Sequence, residues 1–209
     1  MNFDNFPSVT TALANAGRSF YQRGWVLGTA GNFSAVLSRE PVQLAITASG
    51  LHKGELDEKS FLIVDDSGRV LSGAGKPSAE TTLHIAIAQA ANAGAILHTH
   101  SVWATILSDA YASNGGIELN GYEMLKGLAG VSTHEHREWV PILENTQNYA
   151  TLGREMTDLL VSNPAIHGIL LRRHGLYTWG GDIFAARRHV EILEFLFEAA
   201  GRLHLNAKG

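Results

Sequence analysis

The stretch AILHTHSVWA, residues 95–104, sets His98 and His100 one residue apart in an otherwise apolar run. Ala95, Ile96 and Leu97 read as the start of a buried strand. Side chains two apart on a strand point to one face, with Cβ atoms roughly 6–7 Å apart. Imidazole arms of that reach can converge on one ion, which needs nitrogens at about 2.0–2.1 Å. The same spacing fits two core or edge histidines bonded to backbone carbonyls. A two-histidine platform becomes a catalytic zinc site only with a third ligand and an open fourth position. His174 is placed for that part: it follows the apolar run GILLRR and precedes Gly175, at a strand end where binding groups gather. Position alone also allows an ordinary turn histidine there.

The remaining histidines carry less. His134 and His136, in STHEHREW (residues 132–139), form a rival His-x-His, but their polar neighbours predict a mobile surface loop. His84 lies one helical turn after Glu80, on the same helix face, where it either packs or backs up a site. His52, His167, His189 and His204 have no supporting context. Three further stretches suit an anion. GTAGNFS (residues 28–34) offers exposed backbone N–H groups beside Asn32 and Ser34, while ITASG (46–50) and KPSAE (76–80) add Ser49, Gly50 and Ser78 at segment ends. None has the GxxxxGK[ST] pattern, and Gly-Asn pairs commonly mark turns. Together they are three loops able to supply one pocket.

The chemistry of the whole chain narrows the choice. Cysteine is absent, so disulfides, thiolate catalysis and Cys-ligated metal sites are excluded, leaving His and carboxylates as ligands. The 209 residues, 45% hydrophobic and 17% charged, suit a compact protein with a sizeable core. A formal charge of −4, a pI near 6.2 and no basic run longer than two residues argue against a nucleic-acid grip. The first residues lack a basic segment followed by an apolar core, and no apolar run reaches the ~18–20 residues of a membrane span. The expectation is a cytoplasmic protein with a small-molecule substrate and no membrane partner.

These side chains need elements to hold them, and one domain over residues 1–209 is expected. Ser8 is read as the N-cap of a first helix carrying Leu13, Ala16, Phe20 and Tyr21 up to Gly24. FSAVLS and QLAIT read as paired strands, and FLIVDDSGRVLSG as a hairpin turning at Asp66–Ser67–Gly68. A helix starts around Pro77 and Ser78 with Thr82, Ile85 and Ala86 on one side, and the histidine strand follows. SVWATILSDAY predicts a helix, YEMLKGL a short one, WVPIL a strand and YATLGREMTDLLV a helix. AIHGILLRR and GLYTWG are strands parted by a turn at His174–Gly175. A last helix has Phe184, Ile192, Phe195, Leu196 and Leu203 available for an apolar stripe. Helices mixed with hairpins fit an α/β fold of three αβα layers, with a mixed, mostly antiparallel sheet.

The ordered set GTAGNFS, ITASG, KPSAE, HTH and RRHGL resembles the class II aldolase/adducin-like superfamily, from about Gly28 to the last helix. The resemblance implies the class II aldolase-like fold, one Zn2+ per subunit on His98, His100 and His174, and a phosphate pocket at Asn32, Ser49, Gly50 and Ser78. It also implies a homotetramer with sites between subunits. The aldolase pattern has two adjacent serines before its acid; Ala79 here removes one hydroxyl. Glu80 stands at the aldolase's acid position, where it acts as acid/base or as a ligand in the empty site, whereas the epimerase members typically carry Asp.

Within the superfamily, NGYEMLKGLAG, VPILENT and LLRRHGLYTWG are most similar to the methylthioribulose-1-phosphate dehydratase members. By that resemblance Glu123 is the catalytic acid/base, with Glu80 as the alternative. The implied reaction turns 5-methylthioribulose 1-phosphate into 2,3-diketo-5-methylthiopentyl 1-phosphate in methionine salvage. A proton leaves C3, made acidic by the C2 carbonyl, and the C4 hydroxyl departs. A fuculose-phosphate aldolase-like enzyme would instead cleave C3–C4, and an adducin-like module would do no chemistry. Phe33, Trp103 and Tyr122 are near the motifs in sequence and available to wall a methylthio group, though aromatics more often belong to the core.

Overall fold

The computed structural model describes residues 5–206. The elements run α1 (Phe6–Gln22), β1 (Asn32–Arg39), β2 (Val42–Thr47), β3 (Phe61–Asp65), β4 (Val70–Ser72), α2 (Thr81–Ala90), β5 (Ala95–Thr99), α3 (Val102–Ala110), β6 (Gly116–Asn120), β7 (Arg137–Leu143), α4 (Tyr149–Ser162), β8 (Gly168–Leu171), β9 (Gly175–Gly180) and α5 (Ile183–Asn206). Their strands form one sheet in the order β4-β3-β2-β1-β5-β9-β8-β7-β6. Only β7 and β8 pair in parallel; every other neighbour is antiparallel. The mixed, mostly antiparallel sheet is therefore as expected.

Two helical layers cover it. On one face α2 and α4 bury Ile87, Leu152 and Met156 against Leu44, Ile96 and Ile169. On the other, α1 and α5 enclose Phe33, Ala95 and Leu97, and α3 with the far part of α5 covers Leu170 and Leu176. β5 lies near the middle, so Ile96 faces α2–α4 while Ala95 and Leu97 face α1–α5. Each fully buried side chain of that size contributes about 1.5–3 kcal/mol. The polar end of β5 therefore rests on a strand anchored from both sides.

Several local expectations change. The first helix is capped at Asn5, and Ser8 sits inside it, its hydroxyl donating to the Asn5 carbonyl at 2.8 Å. Pro7 explains the shift: it belongs in a first turn, where its missing N–H has no helical partner to lose. β6 was not expected. It alternates buried and exposed positions, with Glu118 and Asn120 outward, and so lacks a continuous apolar signal. The stripe on α5 divides: Phe184, Phe195 and Leu203 are exposed, and Ala186, Val190, Leu193, Leu196 and Phe197 form the buried side. Phe33 is core rather than pocket wall, and Trp103 and Tyr122 pack in the α3–α5 layer. Among the described residues no helix is long and apolar enough to cross a membrane.

Candidate active site

His98 is the last but one residue of the fully buried strand β5, His100 follows directly after the strand, and His174 occupies the tight turn between β8 and β9. Antiparallel pairing of β5 with β9 brings Thr99 opposite Leu176, which carries the turn to the histidine pair. Backbones approach closely there. A Cβ on Gly175 would stand 2.0 Å from the Thr99 carbonyl oxygen, and one on Gly31, at φ +76°, 2.5 Å from that of His98. Only glycine fits either contact without displacing the ligand strand. The His100 N–H is held by the Trp25 carbonyl at 2.7 Å.

The three imidazoles offer ring nitrogens that all lie within 4.8 Å of one another. His98 Nε2 is 2.7 Å from His100 Nε2 and 3.3 Å from His174 Nε2. The tautomer of His98 follows from its other nitrogen: Nδ1 faces the Leu176 carbonyl at 2.9 Å and must donate to it, leaving Nε2 a bare lone pair. His174 Nδ1 likewise faces Asn145 Oδ1 at 3.2 Å. Burial, reinforced by like charge on its neighbours, pushes the His98 pKa well down, and burial with His174 nearby lowers that of His100 to about 4. Neutral imidazoles with converging lone pairs repel unless a cation joins them, and neutral imidazole is the metal-binding form. The donor set fits a divalent ion, and the second nitrogens of His98 and His174 are anchored as in metal-binding histidines.

Glu80, the residue before α2, completes the cluster. Its carboxylate oxygens lie 3.2 Å from His174 Nε2 and 3.8 Å from His98 Nε2. Burial works to raise its pKa, but its contacts with His174, His98 and the Asn32 amide outweigh it and hold the group well below the usual carboxylate range. Asn32 Nδ2 donates to Glu80 Oε2 at 2.5 Å. Asn32 Oδ1 in turn meets His84 Nε2, and His84 Nδ1 meets Ser34 Oγ at 2.7 Å. Fully buried His84, its pKa pulled to about 4 by desolvation, is neutral. It therefore donates to Asn32 and accepts from Ser34, which fixes the Asn32 amide so that its NH2 faces Glu80.

A cleft of about 250 Å³ opens beside the cluster, and Glu80 and His100 form part of its wall. Asn32, Ser49, Gly50 and Ser78 also line it, so the three loops expected to share a pocket do share one. They are tied together: Ser49 N–H donates to the Lys76 carbonyl at 2.9 Å, and Asn32 Nδ2 donates to Glu80, whose own N–H is held by Ser78 Oγ at 3.2 Å. One Asn32 amide proton is already committed to Glu80, so that residue positions the acid as well as facing the cleft.

The cleft also holds residues that sequence reasoning missed, chiefly Lys53 and Tyr149. Lys53 gave one signal, a lone lysine three residues after the ITASG loop; Tyr149 gave none, being far along the chain at the start of α4. Glu123 is not brought to the cluster. It begins a 3₁₀ turn over Glu123–Gly127, is exposed, and binds Lys126 Nζ at 2.6 Å with His134 at 3.8 Å. Leu125 of that turn packs in the α3–α5 layer, whereas His98 stacks on Tyr177 on the α2–α4 side of the sheet.

Fold and site together define a sheet-centred α/β protein with a three-histidine centre beside a polar cleft. An L-fuculose-1-phosphate aldolase from Thermus thermophilus shares the fold, with a TM-score of 0.75 at 22% identity over 98% of this chain and 99% of that one. The family "Class II Aldolase and Adducin N-terminal domain" matches residues 11–200, and the chain belongs to it. More similar in sequence are proteins named methylthioribulose-1-phosphate dehydratase. One from Marinobacter nauticus is 42% identical over 92% of both chains. Another, from Pseudomonas fluorescens, is 45% identical over 89% of this chain and 88% of its own.

Proposed function

We propose that this chain is a hydro-lyase of methionine salvage, dehydrating 5-methylthioribulose 1-phosphate to 2,3-diketo-5-methylthiopentyl 1-phosphate with Zn2+ on His98, His100 and His174. The observation that carries the site is the single cleft joining the Asn32, Ser49–Gly50 and Ser78 loops to Glu80 and His100. The choice of reaction rests on the dehydratase relatives, more than 40% identical over about nine-tenths of both chains. When bound, the ion supplies Lewis-acid polarisation of the ketose oxygens, which makes the C3 proton acidic.

The chain's own groups do the rest. Hydroxyls of Ser49 and Ser78 and the backbone at Gly50 hold the phosphate and set which carbons meet the metal centre. Glu80, an ionised carboxylate at the centre, is placed to take a proton or to rest against the ion. Glu123 is the second acid/base; it stands outside its own chain's cleft, so it serves the site of a neighbouring copy, as a homotetramer with sites between subunits supplies. A cytoplasmic enzyme is consistent with the absence of cysteine.

Product NMR on zinc-loaded protein and 5-methylthioribulose 1-phosphate tests the proposal. An intact five-carbon diketone, lost in Glu123→Gln, is expected. A three-carbon cleavage product would make the chain an aldolase, with Glu80 as its acid/base. No turnover despite bound metal would overturn the substrate.

A further inference from the structure

We propose that Lys53 is the cation that binds the substrate phosphate, its ammonium closing the anion cleft from below. This rests on the cleft being a phosphate site and goes beyond it by assigning the charge. The side chain is only 1% exposed yet forms part of the cleft wall. Its Nζ donates to the Thr29 carbonyl at 3.0 Å and to that of Leu51 at 2.7 Å. An ammonium has three protons. Among the described residues no protein acceptor takes the third, and no carboxylate lies within ion-pair distance.

A buried ammonium held only by neutral carbonyls is costly unless an anion completes it. The rest of the cleft explains which anion. Apart from Glu80 and His100, its other polar side chains are hydroxyls and the Asn32 amide, and no arginine or second lysine lines it. The carboxylate of Glu80 lines the same cleft and would repel a phosphate dianion with nothing to balance it. Lys53 supplies that balance: its field reaches both Glu80 and His100. Burial lowers its pKa to about 8, with Glu80 pulling the other way, so the group is mostly charged at pH 7. By bonding Thr29 and Leu51 it also clamps the loop before Asn32 onto the loop after Gly50, which places donors from both around one ligand.

The alternative role is a loop clamp alone, and the two separate on charge. Glutamine keeps N–H donors for the two carbonyls but loses the cation; arginine keeps both. Metal-loaded wild type, Lys53→Gln and Lys53→Arg are titrated with inorganic phosphate by calorimetry, with melting temperature and metal content measured alongside. Phosphate affinity is expected to fall at least about tenfold in Lys53→Gln and to recover in part in Lys53→Arg. Unchanged affinity in Lys53→Gln, or a wild type that does not bind phosphate, overturns the proposal. Should both variants misfold, the wild-type Lys53 ¹⁵Nζ resonance is followed during the titration. A shift is expected, and an unmoved resonance counts against the assignment. Neither readout uses turnover, so a failed product assay would overturn the reaction and leave Lys53 standing, and the converse holds.

Discussion

Two regions of this molecule are built from the same parts, a buried carboxylate among imidazoles, and they are made for opposite ends. Around Glu80, the Nε2 atoms of His98, His100 and His174 face one another, while Nδ1 of His98 and of His174 is anchored to Leu176 or Asn145. Around Glu138, 1% exposed, both carboxylate oxygens are engaged by protein donors. Its Oε2 takes His136 Nε2 at 2.8 Å and His167 Nδ1 at 3.0 Å, and its Oε1 takes the His167 N–H at 2.9 Å. His167 Nε2 donates to the Ala129 carbonyl at 2.8 Å, so both of its nitrogens are donors and the ring is an imidazolium. His189 beside it donates from Nδ1 to Trp179 and accepts on Nε2 from Ala129. The Glu138 cluster is electrically closed, whereas the Glu80 cluster leaves lone pairs pointing at a common centre. What the second ring nitrogen does decides which is a scaffold and which is a site.

The sharpest way to break that contrast is to remove one histidine from each. His98→Ala should lose its bound metal and at least about 10³-fold in turnover, whereas His167→Ala keeps its metal; metal analysis after gel filtration checks both. Equal metal content in the two variants would erase the distinction. Next come the carboxylates. Glu80→Gln and Glu123→Gln should each retain metal and lose about 10²–10⁴-fold in turnover. If Glu123 acts across copies, mixed assemblies of inactive Glu123→Gln and inactive His98→Ala chains regain part of the activity. Failure of that complementation would return Glu123 to the role of a surface acid.

Glu138→Gln belongs to stability rather than chemistry. Removing one partner of a buried ion pair costs about 3–5 kcal/mol, read as a lower denaturation midpoint with activity per folded molecule intact. Its pH dependence has a defined sign. Burial opposes the charge on His167, but Glu138 prevails and raises its pKa, so that stabilisation is full below about 6.5 and fades as pH rises through the raised value. Burial also opposes ionised Glu138, yet His167 and His136 lower its pKa, so its contribution is present above about 4.3 and is lost in acid. The gap between wild type and variant should be larger near about pH 5.5 than near about pH 9. Smallest is Ser78→Ala, where one hydrogen bond to phosphate is worth about 0.5–1.5 kcal/mol and KM rises several-fold.

The contrast also shows what the sequence could carry. The two-residue spacing of His98 and His100 was legible because a strand has a strict period, and Ile96 and Leu97 mark its faces. His174 was legible through the apolar run ahead of it. The Glu138 cluster was not. His136 looked like part of a loose loop and His167 like an isolated residue, because their partner is a single glutamate in β7 between Arg137 and Trp139, and His189 bonds only backbone groups far from it in sequence. Lys53 left as little trace, since a loop lysine reads as solvated until the fold buries it. The Ser34–His84–Asn32–Glu80 chain joins two segments about fifty residues apart, and only the packing of α2 against the sheet brings them together. Periodicity reports which face a residue lies on; it does not report what meets it there.

Anomalous diffraction at the zinc edge, on crystals of zinc-loaded protein, tests the central claim most directly. One ion is expected per chain, bound by Nε2 of His98, His100 and His174 at about 2.0–2.1 Å, with none beside Glu138. An ion between His136, Glu138 and His167, or no ion among the three converging histidines, would contradict the account.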